Sequence, residues 1–359
     1  MLKRSVEPPP EHLYPTDEWR LREARWSEAY FKRAETAFAL GNGYLGMRGV
    51  HDEGRPVGAA GTFLNGFHET WRIIHAEDAY GLARTGQTIV NVPDASIIRL
   101  YVDDEPLFIP TARLRSYERV LDMQAGTLTR ELEWATAAGR HVIVRSCRLV
   151  SLAHRHLAAI SYEVLVKDGD APVVISSLVV NHQDARPEQR RRRAEDPRLA
   201  TDIAHKVLNA EVVDLEDGRM LLGYRTTNSR MTLGVGIEHI IESAAPYETE
   251  ATLDGERGEL VISVEAERGV PIRLVKLVSY QSSRSETPRE LVDRCGRALN
   301  RARAGGFEAL RTAQREHLDR FWDRADVRVE AGRGTARLQQ AIRWNLFQVA
   351  QATWRAEGA

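Results

Sequence analysis

The sequence is short of several things, and each shortage narrows what it can be. Among its 359 residues there are two cysteines, Cys147 and Cys295. They lie far apart and match neither a disulfide framework nor the paired spacing of a metal site. No apolar run approaches the roughly 20 residues that cross a bilayer. The N-terminal MLKRSVEPPPEHLYP lacks the apolar core of a signal peptide. Charge of either sign is not in excess: 50 Lys and Arg against 51 Asp and Glu leave a formal −1. No global field therefore draws nucleic acid or an anionic membrane to this chain. Together these shortages predict a cytoplasmic protein without metal or cofactor, and the length favours two domains.

Glycine is abundant in one place. Glu35 to Glu69 reads ETAFALGNGYLGMRGVHDEGRPVGAAGTFLNGFHE. Phe38, Leu40, Tyr44, Leu45, Met47, Phe63, Leu64 and Phe67 are interleaved with the glycines, which a flexible linker would not carry. The density instead predicts tight turns and backbones in close approach. Gly41-Asn42-Gly43-Tyr44-Leu45-Gly46 matches a dinucleotide fingerprint literally. That fingerprint must open a helix, however, and Gly49, Gly54 and Pro56 follow.

The segments ETAFALGNGYLGMRG, DEG and GTFLNGFHE resemble the opening signature of glycoside hydrolase family 65. The resemblance continues through TGQTIVNVPDASIIRLYVDDEPL, RVLDMQAGTLTRELEWATAAGRHVIVRSCRLVSLAHRHLAAISYEV, FWDRADVRVE and QQAIRWNLFQVAQATWRAEGA. It thus covers nearly the whole chain, in matching order. It implies a large antiparallel β-sandwich, a helical linker and the first helix of an (α/α)6 barrel. It also implies an inverting enzyme acting on an α-linked glucose disaccharide such as maltose, trehalose or kojibiose. Inorganic phosphate is then the co-substrate of a phosphorylase, and a homodimer is the implied assembly.

The residues carry a β-rich reading independently. Period-two alternation predicts strands at Ser96–Val102, Thr127–Trp134, His141–Val150, Leu157–Val166 and Val173–Val180. It resumes at Arg219–Tyr224, Met231–Ile241, Gly258–Val264 and Val270–Tyr280. Residues 1–18 read as extended, and Trp19 to Arg33 as an edge strand and its approach. Gln183 to Asp202, with Arg190 to Arg193 flanked by acids, reads as a solvated loop. At Ser285 the character changes. Thr287 caps a helix with Pro288 in its first turn, running to Gly305-Gly306, and a second helix carries Phe307 to Trp322. From Thr335 to Arg355 one helix has two apolar stripes. Leu338, Ile342, Leu346 and Val349 form one, and Trp344, Phe347 and Trp354 lie roughly opposite. The expectation is that the aromatic stripe awaits a partner. The predicted division is 1–284 for the sandwich, 285–330 for the linker and 331–359 for the first barrel helix, with helices confined to the C-terminal part.

Chemistry is harder to find. In the resembled family the acid that protonates the leaving oxygen is a barrel glutamate, and no residue here matches it, so no catalytic residue is assigned. Glu35, Asp52, Glu53 and Glu69 are expected to anchor turns by accepting backbone N–H bonds. Asn42 and Asn65 are read as turn residues. His154 and His156 share a face of a strand edge but lack a third ligand. The loop candidates for substrate contact are Arg48, His51 and Glu53. The reading is the non-catalytic part of an α-glucoside phosphorylase. The alternatives are an α-glucoside hydrolase of the same family and a stand-alone carbohydrate-binding or dimerisation sandwich.

Overall fold

A computed structural model describes residues 9–58, 61–73, 75, 77, 79–181, 206–330, 332 and 334–353. In chain order its first strands are β1 (Thr16–Asp17), β2 (Arg20–Glu23), β3 (Leu40–Gly41), β4 (Leu45–Met47), β5 (Thr62–Arg72) and β6 (Thr85–Asn91). There follow β7 (Asp94–Val102), β8 (Glu105–Pro106), β9 (Arg113–Asp122), β10 (Thr127–Ala135), β11 (His141–Val150), β12 (Leu157–Val166) and β13 (Ala171–Val180). The last are β14 (Leu208–Glu216), β15 (Arg219–Thr226), β16 (Thr232–Glu242), β17 (Tyr247–Leu253), β18 (Arg257–Ala266) and β19 (Ile272–Ser283). The helices are α1 (Phe31–Ala37), α2 (Pro288–Ala325) and α3 (Thr335–Thr353).

The strands form three antiparallel sheets. Ten run in the order β1-β2-β9-β10-β11-β12-β19-β16-β15-β14, five as β17-β18-β13-β7-β8, and four as β3-β4-β5-β6. One continuous core joins all three, from Phe38 and Phe67 through Ile98 and Ile175 to Trp134, Tyr162 and Tyr280. This is the large antiparallel sandwich that the alternation predicts.

The other face of the ten-stranded sheet is covered by α2. Val275, Leu277, Leu149 and Leu157 point outward and meet Leu299, Phe307 and Leu310 of the helix in a second, smaller core. That cover explains why β19 is buried continuously from Leu274 to Tyr280 rather than at alternate positions. The Thr287 hydroxyl accepts the Glu290 N–H at 3.2 Å, as a capping residue should. Gly306, at φ 70° and ψ −179°, divides α2 where the two glycines predict a break.

Several expectations need correction. Helices are not confined to the C-terminal part, because α1 begins at the end of the stretch read as a strand approach and runs on into the glycine-rich segment; only Arg20–Glu23 of that stretch is a strand. Of residues 1–18, those from 11 to 13 form a turn instead of an extended run. Strands β5, β6, β9, β14 and β17 were not among those predicted. The arginine run 190–193 lies outside the described residues.

Candidate functional site

The glycine-rich segment is held against the inner face of the ten-stranded sheet by charge. Strand pairing aligns Glu23 with Arg119, Arg119 with Arg130, and Arg130 with Ser146. Further along, Arg148 faces Ile160, Ile160 faces Lys276, and Lys276 faces His239. Partners in register share a face, so a polar belt crosses the middle of an otherwise apolar interior. Onto it the segment sets down its acids. Both Glu53 oxygens accept from Arg130, each at 2.7 Å. Asp52 accepts from Arg148 at 2.7 Å and Ser146 at 2.6 Å, and lies 3.1 Å from Arg130. The Gly49 carbonyl accepts from Arg119 at 2.8 Å, and that guanidinium stacks 4.4 Å from the Phe38 ring centroid.

The electrostatics follow from burial. Desolvation alone would raise the Asp52 carboxyl, but the charges of Arg130 and Arg148 outweigh it and hold it below its usual value. His51 is buried nearby, 6.2 Å from Tyr117 between ring centroids. Burial, then the fields of Arg119, Arg130 and Arg148, push its pKa well below normal, so the ring is neutral. Lys276 is fully buried and donates to the carbonyls of Leu178 at 2.7 Å and Ile97 at 3.3 Å. Burial lowers its pKa to about 7 against the attraction of Asp94.

The sequence candidates are thereby placed. Glu53 and His51 sit inside the sandwich, 3% and 4% exposed, and Glu53 is committed to Arg130. Arg48 lies nearer the surface, pairing with Glu35 at 3.5 Å and donating to Thr36. Glu35 and Glu69 anchor backbone as expected. Glu35 accepts from Gly58 N–H at 2.6 Å, while Glu69 accepts from Thr70, Asn228 and Ser229 N–H. Asp52 and Glu53 use arginines instead, which is a correction. Asn42 builds its turn by accepting from the Tyr44 and Leu45 amides, and Asn65 donates to the Gly43 carbonyl. No pair of these carboxylates is left to act as acid and base on a glycosidic bond. His156 donates Nδ1–H to the Tyr280 carbonyl at 3.1 Å. Among the described residues no group of three or more His, Cys, Asp or Glu is placed to hold a metal ion.

The terminal helix supplies a second kind of site, a seat. Its buried face is Gln339, Arg343, Phe347, Ala350 and Gln351. Gln339 bonds the backbone at both Val327 and Val329, and Gln351 accepts from the Gly41 amide at 2.6 Å. Arg343 forks onto Asp326 at 2.8 and 3.0 Å. The expected uncovered aromatic stripe is therefore wrong in its detail. Phe347 is buried, Trp344 is partly buried against the core, and Leu338 and Val349 stand 45% and 57% exposed. Trp354 lies outside the described residues. Hydrophobic periodicity missed this face because three of its residues are polar and are buried by specific partners.

Comparison with known proteins gives the family and the fold. The model described as "Glycosyl hydrolase family 65, N-terminal domain" matches residues 21–321. An uncharacterized glycosyl hydrolase of Mycobacterium tuberculosis is 39% identical over 97% of this chain and 43% of its own length. The α,α-trehalose phosphorylase of Thermoanaerobacter brockii is 33% identical over 96% of this chain and 44% of its own. A solved structure described as a putative kojibiose phosphorylase from the human microbiome superposes with a TM-score of 0.81 at 19% identity. It covers 94% of this chain and 42% of the other, which supports the fold. The chain spans less than half the length of these curated relatives.

Proposed function

This chain belongs to glycosyl hydrolase family 65, and from that premise we propose that it is the non-catalytic platform of a disaccharide-cleaving enzyme. In this reading residues 1–284 are the sandwich, 285–330 the linker and 331–359 the start of an (α/α)6 barrel that carries the chemistry. The observation that carries the reading is the commitment of Glu35, Asp52, Glu53 and Glu69 to arginines and backbone amides. A general acid must have a proton to give and a free path to the leaving oxygen. All four are buried, so none has that path.

The reaction is phosphorolysis with inversion of an α-linked glucose disaccharide. A barrel carboxylic acid protonates the glycosidic oxygen while phosphate attacks the anomeric carbon from the opposite face, releasing glucose and β-glucose 1-phosphate. The relative named as a trehalose phosphorylase makes trehalose the first substrate to offer. Hydrolysis is the second reading, favoured by the more similar relatives named as glycosyl hydrolases. The test is NMR of the enzyme extended through the barrel, given trehalose, maltose or kojibiose with and without phosphate. Phosphate-dependent β-glucose 1-phosphate is expected. Free glucose alone, formed equally without phosphate, would establish the hydrolase instead.

A further inference from the structure

Away from the buried belt, a pocket of about 580 Å³ opens between the turn at 151–157 and the first half of α2. That volume lies within the range of small-molecule sites. Arg294, Arg297 and Arg301 recur at i, i+3 and i+7, so they share one face of the helix. Ala298, Ala302, Gly305 and Ala309 also line the pocket, and their small side chains leave the room that the arginines overhang. Arg155 closes the other side from the turn. The lining contains no aspartate or glutamate.

The four cations are not equally neutralised. Arg294 is tied to Glu286 and Glu290, each at 2.9 Å, and Arg297 to Glu290 at 3.2 Å. Arg155 lies over the Tyr44 ring, 4.5 Å from its centroid. Among the described residues neither the Arg155 nor the Arg301 guanidinium has a carboxylate partner. Past Gly306 the first turn of the second half of α2 contributes Ala309 and Leu310 to the same pocket, and a helix N-terminus adds positive potential.

Donors are joined by an acceptor. A carbonyl only accepts, so the 3.1 Å contact to Tyr280 O fixes the His156 proton on Nδ1. Burial lowers the ring's pKa to about 4, leaving it neutral, with Nε2 a lone-pair acceptor. Gln281 adds an amide to the lining, while Leu157 and Leu310 give it an apolar floor.

We propose that this pocket binds a phosphorylated sugar. The phosphate lies between Arg155 and Arg301, with Arg294 and Arg297 beside it. The sugar hydroxyls bond His156 Nε2 and Gln281, and the C–H face of the ring rests on the leucines. The assignment stands on this chain alone and is independent of what the barrel does to a disaccharide. It is tested by isothermal titration of the 359-residue chain with glucose 6-phosphate, inorganic phosphate and glucose. Saturable binding of glucose 6-phosphate is expected, about tenfold weaker for inorganic phosphate and absent for glucose at the same concentration. Arg301→Gln and Arg155→Gln should each weaken it by about tenfold. Both side chains are on exposed residues, so an unchanged circular dichroism spectrum is the control for folding. His156→Phe should erase the preference over inorganic phosphate. Absence of binding, or binding indifferent to both arginine substitutions, would overturn the site. Equal affinity for inorganic phosphate would overturn the sugar.

Discussion

Arg343 lies over Trp19, its guanidinium carbon 3.7 Å from the ring centroid, and Trp19 in turn meets Trp322 edge-on at 5.0 Å. Three distant parts of the chain are thereby fixed together: the approach to β2, the end of α2 and helix α3. Trp322 donates its indole N–H to the Met123 carbonyl at 2.9 Å, so the stack is tied to the sheet as well. Removing the arginine leaves Asp326 with neither of its charge-assisted bonds. Arg343→Met should cost about 2–3 kcal/mol of stability. Hydrogen exchange should show the loss concentrated in α3, and equal loss across the sandwich would contradict the seat.

The exposed side of the same helix predicts association. Leu338 and Val349 are about half exposed, and contiguous apolar surface favours self-contact. Light scattering should show concentration-dependent mass that falls in Leu338→Glu and Val349→Glu. Phe347→Ala should act differently. It opens a buried cavity and lowers the unfolding free energy by about 3–5 kcal/mol.

Two glycines are required for separate reasons. A Cβ at Gly49 would stand 2.6 Å from Phe38 Cβ and 2.7 Å from its carbonyl, a clash that backbone atoms cannot yield to. Gly43 has φ 81°, where a branched side chain is strained. Gly49→Val and Gly43→Val should each lower the urea midpoint by an amount equivalent to about 1–3 kcal/mol. Gly46→Ala, with nothing within 4 Å of the new atom and no positive φ, is the control and should be neutral or stabilise by up to about 1 kcal/mol.

The buried lysine makes stability depend on pH with a definite sign. Folding lowers Lys276 from 10.5 to about 7, through burial opposed by Asp94 and aided by Arg148. Below about 7 both states hold the proton. Between there and the ordinary lysine value the unfolded chain binds one proton more, so stability rises with pH, by up to about 1.4 kcal/mol per unit. Lys276→Met should abolish that rise in urea titrations between pH 7 and 10. A slope unchanged by the substitution would show that another group is responsible.

Much of the sandwich was legible because its strands are half-buried. His141–Val150 and Leu157–Val166 were read to the residue, since each is a run rich in Val, Ile and Leu bounded by turn residues. Strand β9 was missed because Arg119 occupies an inward position among Tyr117 and Leu121. Alternation of hydrophobicity cannot show a charge that is buried with its partner. Strand β17 was missed for the opposite reason: its residues are largely exposed on both faces. Helix α1 is too short for periodicity to distinguish it. At the candidate site no sequence pattern signals that Glu53 meets Arg130, 77 residues away, because strand register decides it.

The pair itself is testable. Glu53→Gln leaves Arg130 buried with one partner fewer and should cost about 3–5 kcal/mol, whereas Glu53→Gln combined with Arg130→Met should recover a large part. Non-recovery in the double variant would deny the coupling.

The central claim is that this chain contains no glycosidic chemistry of its own. Its most direct test offers trehalose, maltose and kojibiose, with and without phosphate, to the purified 359-residue chain and measures sugar and sugar phosphate released. The account predicts none above background, with activity appearing when the barrel sequence is joined to it. Turnover by the 359 residues alone, abolished by substitution of Glu35 or Glu69, would contradict it.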